Sequence, residues 1–206
     1  AVNIDNTARC WGYNVYGQLG NGTITNSSTP VTVSGISEIV SISTGSFHSC
    51  ALLTDGTVRC WGDNFFGQLG NGATTSSSTP VPVSGISTAV AISAGGNHTC
   101  AVLSDGAARC WGFNYHGQLG NSVYPGSSTP VTVSGLSNAV AVSAGVGGDH
   151  TCARLANGTV QCWGDNSGGQ LGNGTTLNSS TPVSVSDIST AVAISAGGGH
   201  SCAILA

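Results

Sequence analysis

Cys60-Trp61-Gly62-Asp63-Asn64-Phe65-Phe66-Gly67-Gln68-Leu69-Gly70-Asn71 decides the fold, because the chain writes it four times. Cys-Trp-Gly recurs at Cys10, Cys110 and Cys162, and Gly-Gln-Leu-Gly-Asn follows at Gly17, Gly117 and Gly169. Outward from each copy the sequence runs through Ser-Thr-Pro-Val, then an apolar stretch such as Ala89-Val-Ala-Ile-Ser-Ala94, then His-Ser/Thr-Cys. Self-similarity at a period of roughly 50 residues signals a repeat architecture, in which each unit buries its apolar face against its neighbours.

Within one unit, His48-Ser-Cys-Ala-Leu-Leu53 and Thr57-Val-Arg-Cys-Trp61 flank Asp55-Gly56. Two β-prone runs around an Asp-Gly predict a hairpin. A three-residue loop pairs Leu53 with Thr57, which sets Leu52 opposite Val58 and Cys50 opposite Cys60. The same spacing holds for Cys100 and Cys110 around Asp105-Gly106, and for Cys152 and Cys162 around Asn157-Gly158. Val31-Thr-Val33 and Ile39-Val-Ser-Ile42 supply two further strands, with Ser-Ser-Thr-Pro before Val31 read as a loop. Four short antiparallel strands per unit predict an all-β chain of about four β-propeller blades, with a solenoid as runner-up. Helix is disfavoured by the β-branched content and by 32 glycines in 206 residues.

The repeats resemble the regulator-of-chromosome-condensation repeat family. Cys-Trp-Gly-x-Asn-x-x-Gly-Gln-Leu-Gly-Asn-Gly and Ser-Ala-Gly-x-x-His-Thr-Cys-Ala carry that likeness over the whole chain. The resemblance implies a propeller that serves as an interaction platform, usually of seven blades. Its members include nuclear exchange factors for a small GTPase and a secreted bacterial propeller that inhibits β-lactamases. This chain departs in having four units, and it lacks the charged surface of chromatin-binding members.

Only 6% of residues are charged and the net charge is -4. The sole basic side chains are Arg9, Arg59, Arg109 and Arg154, of which the first three share one repeat position. Without a basic patch there is no phosphate neutralisation, so nucleic acid is excluded as a partner. No apolar run approaches the roughly 20 residues of a membrane span. With no methionine, the chain reads as a processed product or an excerpt. Low charge and pairable cysteines favour an extracellular or cell-surface protein. The sequons at Asn21, Asn26, Asn97, Asn157, Asn173 and Asn178 matter only in a host that glycosylates.

Eight cysteines, two per unit, leave three readings open. Cross-strand disulfides Cys50–Cys60, Cys100–Cys110 and Cys152–Cys162 follow from the register, since opposed strand residues lie near bonding range. Buried free thiols are the second reading. Zinc on His48, Cys50 and Cys60 is the third, but a fourth ligand is wanting, so no metal or other cofactor is expected.

The chain is read as one repeat domain over residues 1–206, beginning and ending inside the same unit. Residues 1–12 supply the second half of a blade and residues 188–206 the first half. Cys10 and Cys202 are then the partners across the closure, Asp5 falls at the hairpin turn, and Ala1-Val-Asn3 overlaps Ala203-Ile-Leu205. Closure within one ring, exchange between two chains and open head-to-tail growth all fit, and association with itself, as an oligomer or fibre, is favoured.

No catalytic site emerges. His48, His98, His150 and His200 share one repeat position, which suits a structural hydrogen bond better than catalysis, and His116 reads as an exposed loop residue. Asp63 and Asp165 occupy the x of Trp-Gly-x-Asn, and no carboxylate pair suggests general acid–base chemistry. Binding residues are sought where the copies differ: Tyr13 and Tyr16, Phe65 and Phe66, Phe113, Tyr115 and His116, with Tyr124 in a loop of its own. Exposed aromatics there suit a protein or glycan partner, the alternative being that they pack between blades.

Overall fold

The computed structural model describes residues 6–206, all of whose regular elements are strands. The turn expected at Asp5 and the overlap of Ala1-Val-Asn3 lie outside the described residues. A first two-stranded sheet pairs β1 (Arg9–Gly12) with β2 (Ser27–Thr32). Three four-stranded antiparallel sheets follow. They are β3 (Ile39–Thr44), β4 (His48–Leu53), β5 (Val58–Gly62) and β6 (Ser77–Pro82); β7 (Ala89–Ala94), β8 (His98–Leu103), β9 (Ala108–Phe113) and β10 (Gly126–Thr132); and β11 (Ala139–Ala144), β12 (His150–Leu155), β13 (Val160–Gly164) and β14 (Ser179–Ser184). A last two-stranded sheet pairs β15 (Ala191–Ala196) with β16 (Ser201–Leu205). Four-stranded blades in chain order are the propeller arrangement expected from the repeats.

Each blade is a meander whose register comes from its turns. Leu53 N–H donates to Thr57 O, and β4 and β5 pair Leu52 with Val58 and Cys50 with Cys60. The loop is closed from the side by Asp55 Oδ1, which accepts from Thr57 N–H and Oγ1–H. Disulfides join Cys50–Cys60, Cys100–Cys110 and Cys152–Cys162.

The Ser-Ser-Thr-Pro segments differ from the sequence reading, since they lie inside β2, β6, β10 and β14 and not in loops. These are the outermost strands of their sheets. A proline is tolerated there because the outer edge needs no ladder donor, and a register shift between Cys60 and Gly62 accommodates the irregular approach.

The cores lie between blades. Trp61 is buried with Ala8, Cys10 and Leu19 of the preceding sheet, and Trp111 with Leu69 and Val83. Trp163 packs likewise with Leu119 and Val133. The innermost strands β3, β7, β11 and β15 touch in succession. Among the described residues no ladder joins β16 to β1, so the units form an open arc that ends in two half-blades.

Candidate functional site

The edges of the arc carry its unpaired structure. β1 presents the free Cys10, and β16 presents the free and exposed Cys202. The structure does not bring these two together within the chain, in contrast to the other six cysteines. Burial raises the Cys10 thiol pKa.

Inside the arc each blade interface is wired alike. Gln68 O accepts both Thr99 Oγ1–H and Trp111 Nε1–H at 2.9 Å. Gln18 O accepts Ser49 Oγ–H and Trp61 Nε1–H, and Gln118 O accepts Thr151 Oγ1–H and Trp163 Nε1–H. Each indole lies flat on a glycine: a Cβ on Gly20 or Gly70 would stand 2.6 Å from the indole nitrogen. These glycines also hold positive φ, so the Gly-Gln-Leu-Gly turn is both the acceptor and the floor of a tryptophan socket.

The four repeat histidines fall where the repeat put them. His48 Nε2 lies 2.8 Å from Thr99 Oγ1, His98 Nε2 2.9 Å from Thr151 Oγ1, and His150 Nε2 2.9 Å from Ser201 Oγ. All three bonds cross a blade boundary. With its sulfurs bonded to each other and His48 turned to Thr99, the set considered for zinc is not a ligand set. Among the described residues no group of three or more His, Cys, Asp or Glu could hold a metal ion.

The aromatic loop residues form two clusters. Phe47 stands between Tyr13 and Tyr16, with ring centroids 6.3 and 5.3 Å away. Phe65, Phe66, Phe113 and Tyr115 follow ring to ring at 4.8 to 4.9 Å, and Tyr115 meets Tyr124 at 4.6 Å. Tyr13, Tyr16, Phe65, Tyr115 and Tyr124 are exposed, whereas Phe66 and Phe113 are half-buried between them. His116 is half-buried too, with Nδ1 3.0 Å from Asp149 Oδ2. A cleft of about 350 Å³ lies beside Phe65, Phe113 and Tyr115.

Sequence reasoning missed Phe47, whose signal was available: it takes the position of Asn97, Asp149 and Gly199 in the other copies. It also missed the motif asparagine. Asn64 Nδ2 donates to Ala73 O and Thr75 O while Oδ1 accepts Leu69 N–H, which shapes the loop that carries Phe65 and Phe66.

A sequence profile described as the regulator of chromosome condensation (RCC1) repeat matches residues 10–52, 55–102, 105–154 and 157–204. No curated protein sequence matches the chain. Among solved structures, human WBSCR16 superposes with a TM-score of 0.88 at 21% identity over 100% of this chain and 55% of that one. Yeast RCC1 (Prp20), solved with Kap60 bound to it, gives 0.83 at 21% identity over 98% and 50%. The ectodomain of the Physcomitrella patens receptor kinase CR4 gives 0.51 at 25% identity over 88% and 38%. The chain thus spans about half the length of the two propellers to which it is most alike in this group.

Proposed function

Because this chain belongs to the regulator of chromosome condensation repeat family, we propose that it acts as a non-enzymatic protein-binding propeller module whose first partner is another copy of itself. The observation that carries this reading is the complementarity of the two ends. β15 and β16 match the first two strands of a blade, and β1 and β2 match the last two. In this reading β1 and β2 of one copy complete a blade begun by β15 and β16 of another.

Two half-blades left open expose ladder groups and apolar side chains, and joining them removes both from water. A contact of one end with the other is head-to-tail, so assembly closes into a ring when the rotation fits and otherwise grows as a filament. Two copies joined at both ends make a ring of eight blades. The three disulfides suit an oxidising compartment, and the module is proposed to work outside the cell or on its surface.

The test is the native mass of the chain by light scattering under non-reducing conditions, across a range of concentrations. A dimer, or a mass that grows with concentration, is the expected result. A mass that stays at one chain throughout overturns the reading.

The aromatic clusters favour a second reading, in which the same module binds or inhibits a soluble protein, or binds a glycan. Rings exposed in contiguous rows offer large apolar area at low entropic cost. Replacing Tyr16, Phe66 and Tyr115 with alanine should abolish that binding and leave assembly unchanged. Glycan binding would be read from an array, where an absence of hits removes it.

A further inference from the structure

The loop after Asn121 breaks the repeat, and it does so beside the longer aromatic row. The other three copies place glycine after this asparagine, at Gly22, Gly72 and Gly174, all with positive φ. Here Ser122 takes the same conformation at φ 58°, which disfavours a residue with a Cβ. Val123-Tyr124-Pro125 follows and sets Tyr124 against Tyr115 with ring centroids 4.6 Å apart. The fourth copy builds its blade with Ser167 and Gly168 where the second has Phe65 and Phe66, so the fold itself does not require the rings.

The cleft of about 350 Å³ at this row has two kinds of wall. One is aromatic, made by Phe65, Phe113 and Tyr115; Phe65 is 73% exposed and its one ring contact is with Phe66. The other is hydroxylic, made by Thr74 and Ser128. Among the described residues neither of these hydroxyls has a hydrogen-bond partner, in contrast to Ser127 Oγ–H, which donates to Thr129 O. No charged side chain lines the cleft.

Open rings beside unpaired hydroxyls, without charge, suit a ligand that is apolar on one face and hydroxylated at its rim. A pyranose has that form. Its C–H groups gather on one face with a slight positive charge that matches the negative face of an aromatic ring, and its hydroxyls project from the edge. A phosphorylated ligand would find no cation here.

We propose that this cleft binds one pyranose unit of a neutral oligosaccharide, stacked on the aromatic wall and hydrogen-bonded to Thr74 and Ser128. The inference rests on the second reading above, narrows it to uncharged glycans and fixes the site. Tyr115 also lines a second hollow of about 260 Å³, which holds Asn178. Asn178 Oδ1 accepts Asn166 N–H, while its Nδ2 donates to nothing among the described residues. The next sugar of the chain lies there, so a disaccharide binds more tightly than a monosaccharide.

The experiment reads the full chain on an array of neutral oligosaccharides of glucose, galactose, mannose and N-acetylglucosamine, printed beside sialylated and sulfated ones. The strongest hit is then titrated by calorimetry. Binding to neutral members is expected. Phe65→Ala and Tyr115→Ala should each weaken it at least about tenfold, and Thr74→Val about fivefold. Tyr16→Ala, in the other aromatic cluster, should leave it unchanged. All four positions are exposed, and circular dichroism checks that the variants fold. In saturation-transfer NMR the C–H protons of one sugar face should take up most of the signal, and even transfer would overturn the stacking. Binding that survives Phe65→Ala and Tyr115→Ala, or that is confined to charged glycans, overturns this inference and leaves glycan binding elsewhere on the module standing. If no glycan is bound, the inference and the glycan reading fall together, and a protein ligand lost in Phe65→Ala would hold the cleft instead.

Discussion

His98 of one blade donates to Thr151 of the next. Thr151 Oγ1–H is already given to Gln118 O, so the proton of the 2.9 Å contact sits on His98 Nε2. His98 Nδ1 is then the bare nitrogen, buried without a partner against Gly95. A proton added at Nδ1 would be a buried charge with no protein partner. Burial accordingly pulls the His98 pKa down to about 3, with the charges of His48 and His150 as smaller contributors, and burial pulls His48 down to about 4.

From these two groups the pH dependence has a definite sign. An unfolded histidine titrates near 6.5, so below that pH the unfolded chain binds protons that the folded chain refuses. Stability is therefore full above about pH 6.5 and lost as the pH falls toward the folded values of about 4 and 3. Each histidine contributes a slope of up to about 1.4 kcal/mol per pH unit in that window. Urea unfolding at pH 7.5, 6, 5 and 4.5 checks it, and a midpoint that does not move below pH 6 would refute the wiring. Replacing His98 with Gln should flatten the slope.

Trp111→Ala and Trp11→Ala should part company in the isolated chain. Trp111 fills a blade interface and is fully buried, so its loss should cost about 3–5 kcal/mol. Trp11 is half in water, and in dilute solution its loss should cost about 0.5 kcal/mol or less. Chemical denaturation of the two variants measures both.

Gly70 and Gly85 share a positive φ and differ in what surrounds them. A Cβ at Gly70 would stand 2.6 Å from Trp111 Nε1, whereas at Gly85 nothing lies within 4 Å. Gly85→Ala should cost about 1–2 kcal/mol from backbone strain alone. Gly70→Ala adds displacement of the indole from its socket and should cost at least about 1 kcal/mol more. Thermal melts of the two variants would settle the difference.

The Cys100–Cys110 disulfide closes a short hairpin, with a sequence separation of 10. Replacing both residues with alanine should destabilise by about 2.5–3 kcal/mol in the loop-entropy picture, with the fold retained. A cost near zero would mean that the ladder alone restrains the hairpin in the unfolded chain. Guanidinium unfolding of the double variant, with mass spectrometry of the two remaining bridges, reads it.

Asn64→Ala should loosen the loop that displays Phe65 and Phe66. It removes donors to Ala73 O and Thr75 O and the acceptor of Leu69 N–H, at a cost of about 2–3 kcal/mol. Faster amide exchange across residues 65–75 is the expected signature, with little change in β7 and β8.

Much of this molecule is short-range, and that part is legible in the chain by itself. Asp55-Gly56 sets a loop length, the loop sets a register, and the register sets Cys50 against Cys60, because side chains along a strand alternate with a period of two. The fourfold recurrence then makes the blades. What the sequence could not say depends on how one blade sits on the next. That Trp61 finds Gly20, that His48 reaches Thr99 and that Phe47 inserts between Tyr13 and Tyr16 are contacts between units, not within one. Those contacts depend on how one blade packs on the next, which the turn and strand pattern of a single repeat does not encode.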